Sequence, residues 1–209
     1  MIRPRGLPGI AFGDITDGDP RRDLDARADM ARELGIQDSW AVIDQVHGSR
    51  IALAEAAEQL GEADGILTDT PMLPVAIATA DCLPVVLVGR NSVALVHAGW
   101  RGAAAQIVRE ASRLFSERGD TVENAVIGPH IGPCCYEVGQ EVVDALGGRQ
   151  TRTTEGAMSV NLADAVRDQL PGIVVTNGFG CTMHDDRFHS FRRNATPRRQ
   201  VTVAWIPQD

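Results

Sequence analysis

The sequence lacks lysine: all 20 of its Lys and Arg residues are arginines. A Walker A lysine, a lysine Schiff base and a lysine general base are therefore excluded. Any anion that the protein binds must be held by arginine, by backbone N–H groups or by a metal. The chain thus depends on arginine wherever a binding site needs a permanent positive charge.

Long apolar runs and dense cysteine spacing are also missing. No apolar run approaches the roughly 18 residues of a membrane span, and the N-terminus has no apolar core of a signal peptide. The four cysteines form neither the CxxC pairs of a zinc ribbon nor a secreted disulfide scaffold. A net charge of −8 argues against nucleic acid and anionic lipid. We expect a cytoplasmic protein with reduced thiols, monomeric or homodimeric, that binds neither nucleic acid nor membrane.

Strand and helix patterns alternate along the chain, which predicts one α/β (α+β) domain, residues 1–209, with a mixed β-sheet. Residues 1–22 are rich in Gly, Asp, Pro and Arg and are predicted to form an irregular arm. Residues 23–34 have the spacing of an amphipathic helix. A second helix is predicted to open at residues 99–102 and to run through about Phe115.

Three potential metal ligands, His47, Cys82 and His97, each lie at or just past the end of an apolar strand. Cys82 lies where the run 75–88 breaks into two predicted strands. Ligands usually bind beyond strand ends, and two imidazoles with one thiolate suit Zn²⁺ with a fourth position open. Asp81 is a candidate to orient a ligand or to carry a proton. The spacing matches no recognised metal signature, so a core cysteine and structural histidines stay open as the alternative.

Arg101 lies where a Gly-Trp-Arg-Gly turn passes into a predicted helix, a position at which free N–H groups favour anions. Its guanidinium is a candidate for phosphate binding, with a surface salt bridge as the alternative. Arg192 and Arg193 raise the same possibility. The other histidines and cysteines are expected to be exposed or structural side chains and free thiols: His130, His184, His189, Cys134, Cys135 and Cys181.

Six motifs occur in the order found in one known family: QVHG (45–48), ADGILTD (63–69), TADCLPVVL (79–87), VHAGWRG (96–102), GPHIGPCCYEVG (128–139) and CT…SFRR (181–193). The sequence resembles the YfiH/laccase-domain family, also called the peptidoglycan-editing-factor family, from about residue 13 to its end. The resemblance implies a three-layer α/β/α fold with a mixed sheet, similar to the catalytic domain of cytotoxic necrotising factor. It also implies a metal, usually zinc and sometimes copper, on the residues that match the family's ligands: His47, Cys82 and His97.

Members of that family are described as purine nucleoside enzymes. The resemblance therefore implies phosphorolysis of adenosine, inosine and methylthioadenosine, and deamination of adenosine, with a nucleoside and phosphate as substrates. We expect Asp81 to carry a proton in deamination. Phosphate or substrate would be bound by Arg101, Arg192 and Arg193. The segment GIAFGDITDGDPRRD is shorter than in many relatives, which leaves specificity and even activity open.

Two other classes of activity fit the same residues. A copper-dependent polyphenol oxidase would also use a His₂Cys set, with Met72 or Met183 as an axial ligand. A laccase needs many histidines for a multi-copper cluster, whereas this chain has 5. A cysteine hydrolase or editing factor acting on peptidoglycan precursors would use Cys82 as its nucleophile, activated by a neighbouring histidine.

Overall fold

Thirteen β-strands, six α-helices and a short 3₁₀ helix (Ile15–Asp17) form the secondary structure of residues 1–208, the part of the chain that the computed structural model describes. The strands are β1 (Ile10–Phe12), β2 (Ala41–Asp44), β3 (Ile51–Leu53), β4 (Gln59–Glu62), β5 (Gly65–Thr68), β6 (Val75–Thr79), β7 (Leu83–Val88), β8 (Val93–Ala98), β9 (Asn124–Ile127), β10 (Gln150–Arg152), β11 (Met158–Val160), β12 (Val174–Thr176) and β13 (Gln200–Ala204). The helices are α1 (Leu24–Leu34), α2 (Trp100–Ala104), α3 (Ile107–Glu117), α4 (Gln140–Ala145), α5 (Leu162–Arg167) and α6 (Phe191–Asn194). The predicted α/β class is confirmed. None of these helices combines the length and the apolar character needed to cross a membrane.

Most strands belong to two sheets. The first sheet has the order β1-β13-β6-β2-β4 and the second β12-β9-β7-β8-β5-β3, while β10 and β11 pair separately. Both sheets are mixed: β2 is parallel to β4 and β6 but β13 is antiparallel to β6, and in the second sheet β7 and β8 are antiparallel whereas β3 and β5 are parallel. The prediction of a single mixed sheet is therefore corrected to two.

The two sheets pack face to face because their strands are apolar on both faces. In β7, Val86 faces the core between the sheets, whereas Val85 and Leu87 face the helices on the outer side. In β6, Ile77 faces the other sheet and Ala76 packs with α1. Four layers result, namely α1, the two sheets and α2–α5, in place of the expected three. An apolar run indicates burial on both faces but does not show what covers each face.

The helix predicted to run through about Phe115 is in fact two helices. Gln106 lies between α2 and α3 with a φ of 60°, a left-handed conformation that interrupts the helix. The buried side chain of Gln169 supports the new start, since its Oε1 atom accepts the N–H group of Val108. This contact comes from a residue far along the chain, so local helix propensity could not predict the break. α1, by contrast, closely matches the predicted helix.

The arm of residues 1–22 is more regular than predicted. It contains β1, in which Ile10 and Phe12 are buried and pair in antiparallel fashion with β13. A three-residue strand has too short a pattern to be recognised, and its partner lies at the other end of the chain. The correction matters for the site, because β1 anchors the segment that carries Arg21 and Arg22.

The chain crosses from the first sheet to the second between β6 and β7, and this crossing positions the candidate site. β2 and β6 are parallel neighbours, so the loop after β2 and the crossing after β6 lie at the same edge. His47 lies in that loop and Cys82 lies at the crossing. In the second sheet, Pro84 of β7 pairs with His97 of β8. The predicted break within residues 75–88 is this crossing.

Candidate metal and active site

The structure brings the three strand-end residues together. The metal-binding atoms of His47, Cys82 and His97, here called the triad, all lie within 4.8 Å of one another. The two imidazole rings meet edge to face, with centroids 4.8 Å apart and planes at 75°. His97 is buried and His47 is exposed, so the triad extends from the protein interior to the surface. Two histidines and one cysteine at this spacing form a donor set for a divalent metal.

Asp64 forms hydrogen bonds that orient the triad. This role was not predicted from the sequence. Its side chain is fully buried, and its Oδ1 atom accepts the Nδ1–H group of His97 at 2.8 Å. The same carboxylate accepts the backbone N–H groups of His47, at 2.9 Å, and Gly48. One carboxylate therefore fixes the His97 ring and the loop that carries His47, which leaves Nε2 of His97 for the triad. Asp64 is the first aspartate of the motif ADGILTD and directly precedes a buried strand, but the motif alone does not show that its carboxylate faces His97.

The triad favours a thiolate next to a protonated imidazole. Burial raises the pKa of Cys82, but hydrogen bonds with His47 and His97 outweigh it and lower the pKa from 9.0 to about 6. Burial lowers the pKa of His97, but hydrogen bonds with Asp64 and Cys82 raise it to about 9. A thiolate is the form of cysteine that binds metals and the form that attacks electrophiles. The electrostatics thus suit both a metal ligand and a nucleophile.

Gly99, the first glycine of the GWRG turn, allows the backbone to approach the triad. A Cβ atom there would lie 3.2 Å from Cδ2 of His47 and 3.4 Å from Sγ of Cys82. α2 begins at the next residue, and Arg101 in its first turn is exposed, with its guanidinium 4.4 Å from the ring centroid of Trp100. The turn therefore places α2 beside the triad, while the side chain of Arg101 packs on the ring of Trp100.

A cleft of about 520 Å³ opens at the triad. Its walls carry the triad, one acidic residue, two aromatic residues and four arginines: Asp81, Tyr136, Phe191, Arg21, Arg22, Arg192 and Arg199. Asp81 is the only carboxylate among the described residues that line the cleft. The cleft is therefore basic although the chain has a net charge of −8. A site of this charge attracts anions.

Asp81 holds the wall of the cleft in place. It lies at the sheet crossing with a left-handed φ of 85°, and its side chain is buried. Oδ1 accepts the hydroxyl of Thr182 at 2.6 Å, and Oδ2 accepts the backbone N–H group of Arg192 at 2.7 Å. Both oxygens are thus engaged in fastening two segments of the C-terminal region to the crossing. This geometry is that of a positioning residue, and the role of Asp81 as a proton carrier stays a prediction.

The predicted arginines fall into different environments. Arg192 lines the cleft, where its guanidinium donates to the carbonyl of Glu137 at 2.9 Å and lies 5.6 Å from the ring centroid of Tyr136. The guanidinium of Arg193 instead donates to backbone carbonyls of its own loop, including that of Phe188 at 2.6 Å. Arg193 and Arg101 are not among the residues that line the cleft. Sequence reasoning missed three arginines that do line it: Arg21, Arg22 and Arg199.

A second group of metal-binding side chains lies outside the triad. The ligand atoms of its four members, here called the four-residue cluster, all lie within 4.8 Å of one another: Cys134, Cys135, Cys181 and His184. The cysteines are free thiols. Sequence reasoning did not bring them together, since Cys135 and His184 are separated by 49 positions. His130, by contrast, is buried, with Nδ1 2.8 Å from the carbonyl oxygen of Gly128.

Comparison with known proteins identifies the family. The model of a family described as multi-copper polyphenol oxidoreductase laccase matches residues 9–207. The chain belongs to this family. Solved structures agree: YlmD from Geobacillus stearothermophilus aligns with a TM-score of 0.82 and 25% identity, covering 98% of this chain and 94% of that one. The YfiH protein of Bacillus licheniformis aligns with a TM-score of 0.78 and 27% identity, covering 90% and 82%. The resemblance inferred from the motifs is thereby confirmed.

Curated relatives in this laccase-like family carry names of purine nucleoside enzymes. A purine nucleoside phosphorylase of Mycobacterium tuberculosis is 33% identical over 209 residues, which cover 93% of this chain and 84% of that protein. A purine nucleoside phosphorylase of Pseudomonas aeruginosa is 33% identical over 94% of this chain and 86% of that protein. The adenosine deaminase RL5 of an unknown prokaryotic organism is 34% identical over 66% of this chain and 58% of that protein.

Proposed function

We propose that this protein is a zinc-dependent purine nucleoside enzyme, which phosphorolyses adenosine, inosine and methylthioadenosine and deaminates adenosine. The observation that carries the proposal is that one cleft combines the triad with four arginines. The names of the relatives support the same substrate class. The volume of the cleft is within the range of small-molecule sites, about 300–1,000 Å³.

The triad fits a zinc ion by the chemistry of its donors. His47, Cys82 and His97 would hold the ion, and the buried carboxylate of Asp64 orients one ligand as outer partners do in metal sites. A divalent metal in this set supplies Lewis-acid activation of water. Three protein ligands beside a cleft are typical of a catalytic site rather than a structural one.

The arginines of the cleft would bind and orient phosphate for attack on the anomeric carbon of the nucleoside. Guanidinium groups bind phosphate oxygens in a fixed geometry, and the phosphate charge stabilises the positive charge that develops on the ribose. Tyr136 and Phe191 offer aromatic surfaces on which a purine can stack. In this proposal Arg192 and Arg199 contact phosphate, whereas Arg101 lies outside the cleft. Asp81 positions Arg192 through its backbone N–H group.

The test is to incubate pure protein with adenosine, with and without phosphate, and to resolve the products. Phosphate-dependent release of adenine with ribose 1-phosphate reports phosphorolysis, and release of inosine reports deamination. The Cys82→Ala variant is the negative control, and His189→Ala, a histidine outside both groups of ligands, is the matched positive control. If wild-type protein forms no more product than Cys82→Ala, the proposed function is wrong.

A cysteine hydrolase acting on peptidoglycan precursors is the second candidate. The observation that favours it is the position of the Cys82 sulfur, which lies within 4.8 Å of a ring nitrogen of each of His47 and His97. Burial raises the pKa of this thiol, but hydrogen bonds with the two imidazoles outweigh it and lower the pKa. A free thiolate next to an imidazole is a nucleophile, whereas a thiolate bound to metal is not available for attack. Alkylation by iodoacetamide in metal-replete protein separates the two: rapid modification of Cys82 favours the hydrolase, and protection of Cys82 favours the metalloenzyme.

Copper oxidase chemistry is the third candidate, and the description of the family favours it. A His₂Cys set also suits copper. A laccase, however, needs a cluster of several coppers held by many histidines, and this chain has 5 histidines, of which two belong to the triad. Stoichiometric copper with intense visible absorbance in protein purified without added metal would favour the oxidase over the nucleoside enzyme.

A further inference from the structure

The four-residue cluster has the composition and the size of a closed zinc site. Three sulfurs and one imidazole nitrogen, from Cys134, Cys135, Cys181 and His184, lie within 4.8 Å of one another. In a tetrahedral site with Zn–S bonds of about 2.3 Å, neighbouring ligand atoms lie about 3.8 Å apart. Small side-chain rotations therefore suffice to close the cluster around an ion. A donor set rich in thiolates selects zinc over magnesium or calcium.

A tight turn directs both adjacent cysteines to the same point. The backbone N–H groups of Cys135 and Tyr136 both donate to the carbonyl of Gly132 at 3.0 Å. The N–H group of Gly132 donates to Sγ of Cys181 at 3.1 Å, a contact that holds this sulfur against the turn. A Cβ atom on Gly132 would lie only 3.2 Å from Sγ of Cys134. Glycine thus leaves room for this sulfur beside the turn.

The second segment supplies the remaining two ligands in fixed positions. Nε2 of His184 lies 3.0 Å from Sγ of Cys135. The backbone N–H group of His184 donates to the carbonyl of Cys181 at 3.0 Å, which holds both ligands in one turn. Thr182, between them, donates its N–H group to the carbonyl of His130 at 3.0 Å. The backbone therefore already joins the two segments at the cluster.

We propose that the four-residue cluster binds a structural Zn²⁺ ion, distinct from any metal at the triad. Four protein ligands leave no open coordination position, which is the mark of a structural site. The ion would fasten the turn before Tyr136 to the segment that leads to Arg192, and both of these residues line the cleft. The second site thus stiffens two walls of the active-site cleft without taking part in chemistry. This proposal does not depend on which reaction the cleft performs.

The test measures zinc in tag-free Cys82→Ala protein purified without added metal, because this variant removes the triad from the count. Elemental analysis is expected to give one zinc per chain in Cys82→Ala and none in the double variant Cys82→Ala/Cys181→Ala. The double variant Cys82→Ala/His189→Ala is the matched control and is expected to retain one zinc. Absence of zinc from folded Cys82→Ala protein loaded with zinc in solution would overturn the proposal.

A thiol titration tests the same point without a further variant. In zinc-loaded Cys82→Ala protein the three cluster thiols are expected to react slowly with a disulfide reagent, and a chelator is expected to accelerate the reaction at least about tenfold. Cobalt substitution should give visible bands of a tetrahedral thiolate site. Immediate reaction of all three thiols, or a disulfide among them in protein purified without reductant, would overturn the proposal. Activity is not used as a readout, so failure of the proposed function leaves this test unaffected.

Discussion

The triad and the four-residue cluster both consist of cysteine and histidine side chains, but their surroundings suit different roles. The triad draws three ligands from strand ends of two sheets, rests on the buried carboxylate of Asp64 and faces a basic cleft. The cluster draws four ligands from two turns, and the backbone N–H group of Gly132 in one turn donates to Sγ of Cys181 in the other. An open position with an orienting carboxylate is typical of chemistry, whereas a filled coordination shell is typical of structure. The two sites thus differ in the number of ligand atoms and in whether a buried carboxylate orients a ligand.

Loss of a triad ligand should have the largest effect. We expect Cys82→Ala to lower turnover of adenosine by more than about 100-fold. Loss of a residue that only hydrogen-bonds to a metal ligand already lowers metal affinity or activity about 10–100-fold, and Cys82 is itself a ligand. The measurement is the rate of product formation per folded chain. If this variant kept more than a tenth of the wild-type rate, the triad would not be the reactive centre.

Loss of a cluster ligand should affect stability first. If the bound ion contributes about 3 kcal/mol, Cys181→Ala is expected to lower the Tm of zinc-loaded protein by roughly 6–12 °C. Turnover should persist well below the Tm, since the triad keeps its ligands. Thermal unfolding followed by circular dichroism measures the shift, with His189→Ala as control. An unchanged Tm together with lost turnover would reverse the roles assigned to the two groups.

Asp64→Asn should weaken the triad while sparing the cluster. The amide keeps the shape of the carboxylate but loses its charge, and an NH₂ group in place of Oδ2 faces the backbone N–H group of Gly48. We expect the zinc affinity of the triad to fall about 10–100-fold. Competition with a chromophoric chelator measures both sites in one titration. An equal loss of zinc affinity at the triad and at the four-residue cluster would indicate general misfolding rather than a positioning role of Asp64.

The smallest effect concerns the arginines of the cleft. Arg199→Gln should raise the KM for phosphate about tenfold, because a charge-assisted hydrogen bond contributes roughly 1.5–3 kcal/mol. Arg101→Gln should change it by about twofold or less, since this exposed side chain packs on Trp100. Initial rates at varied phosphate concentration give both values. A larger effect at Arg101 than at Arg199 would assign phosphate binding to the start of α2.

The ligands of the triad could be predicted from the sequence, whereas most of the residues around them could not. His47, Cys82 and His97 each follow or end an apolar strand, which is a local pattern that motifs reinforce. Asp64 lies in the motif ADGILTD, but its role was missed because a sequence motif does not show which side chain a carboxylate orients. The cluster was missed because its two turns are joined only by the fold. Chain segments that pair across long distances, such as β1 with β13, were beyond any local pattern.

The same limit explains the errors in architecture. An apolar strand predicts burial, but the sheet that it joins depends on pairing partners elsewhere in the chain. The crossing between β6 and β7 therefore looked like a kink within one sheet. The break at Gln106 depends on Gln169, and the basic character of the cleft depends on arginines contributed by both ends of the chain.

The crossing of the chain between the sheets has a thermodynamic consequence. His47 lies in the connection from β2 to β3 and Cys82 in that from β6 to β7, and each connection leads from the first sheet to the second. His97 lies in the second sheet, so one ion on all three residues would tie both connections to that sheet. By linkage, the affinity for the ion and the free energy of opening the interface between the sheets rise and fall together. Amide hydrogen exchange in β2 and β6 should thus slow when metal is added, and heat that loosens the sandwich should release the ion before the chain unfolds.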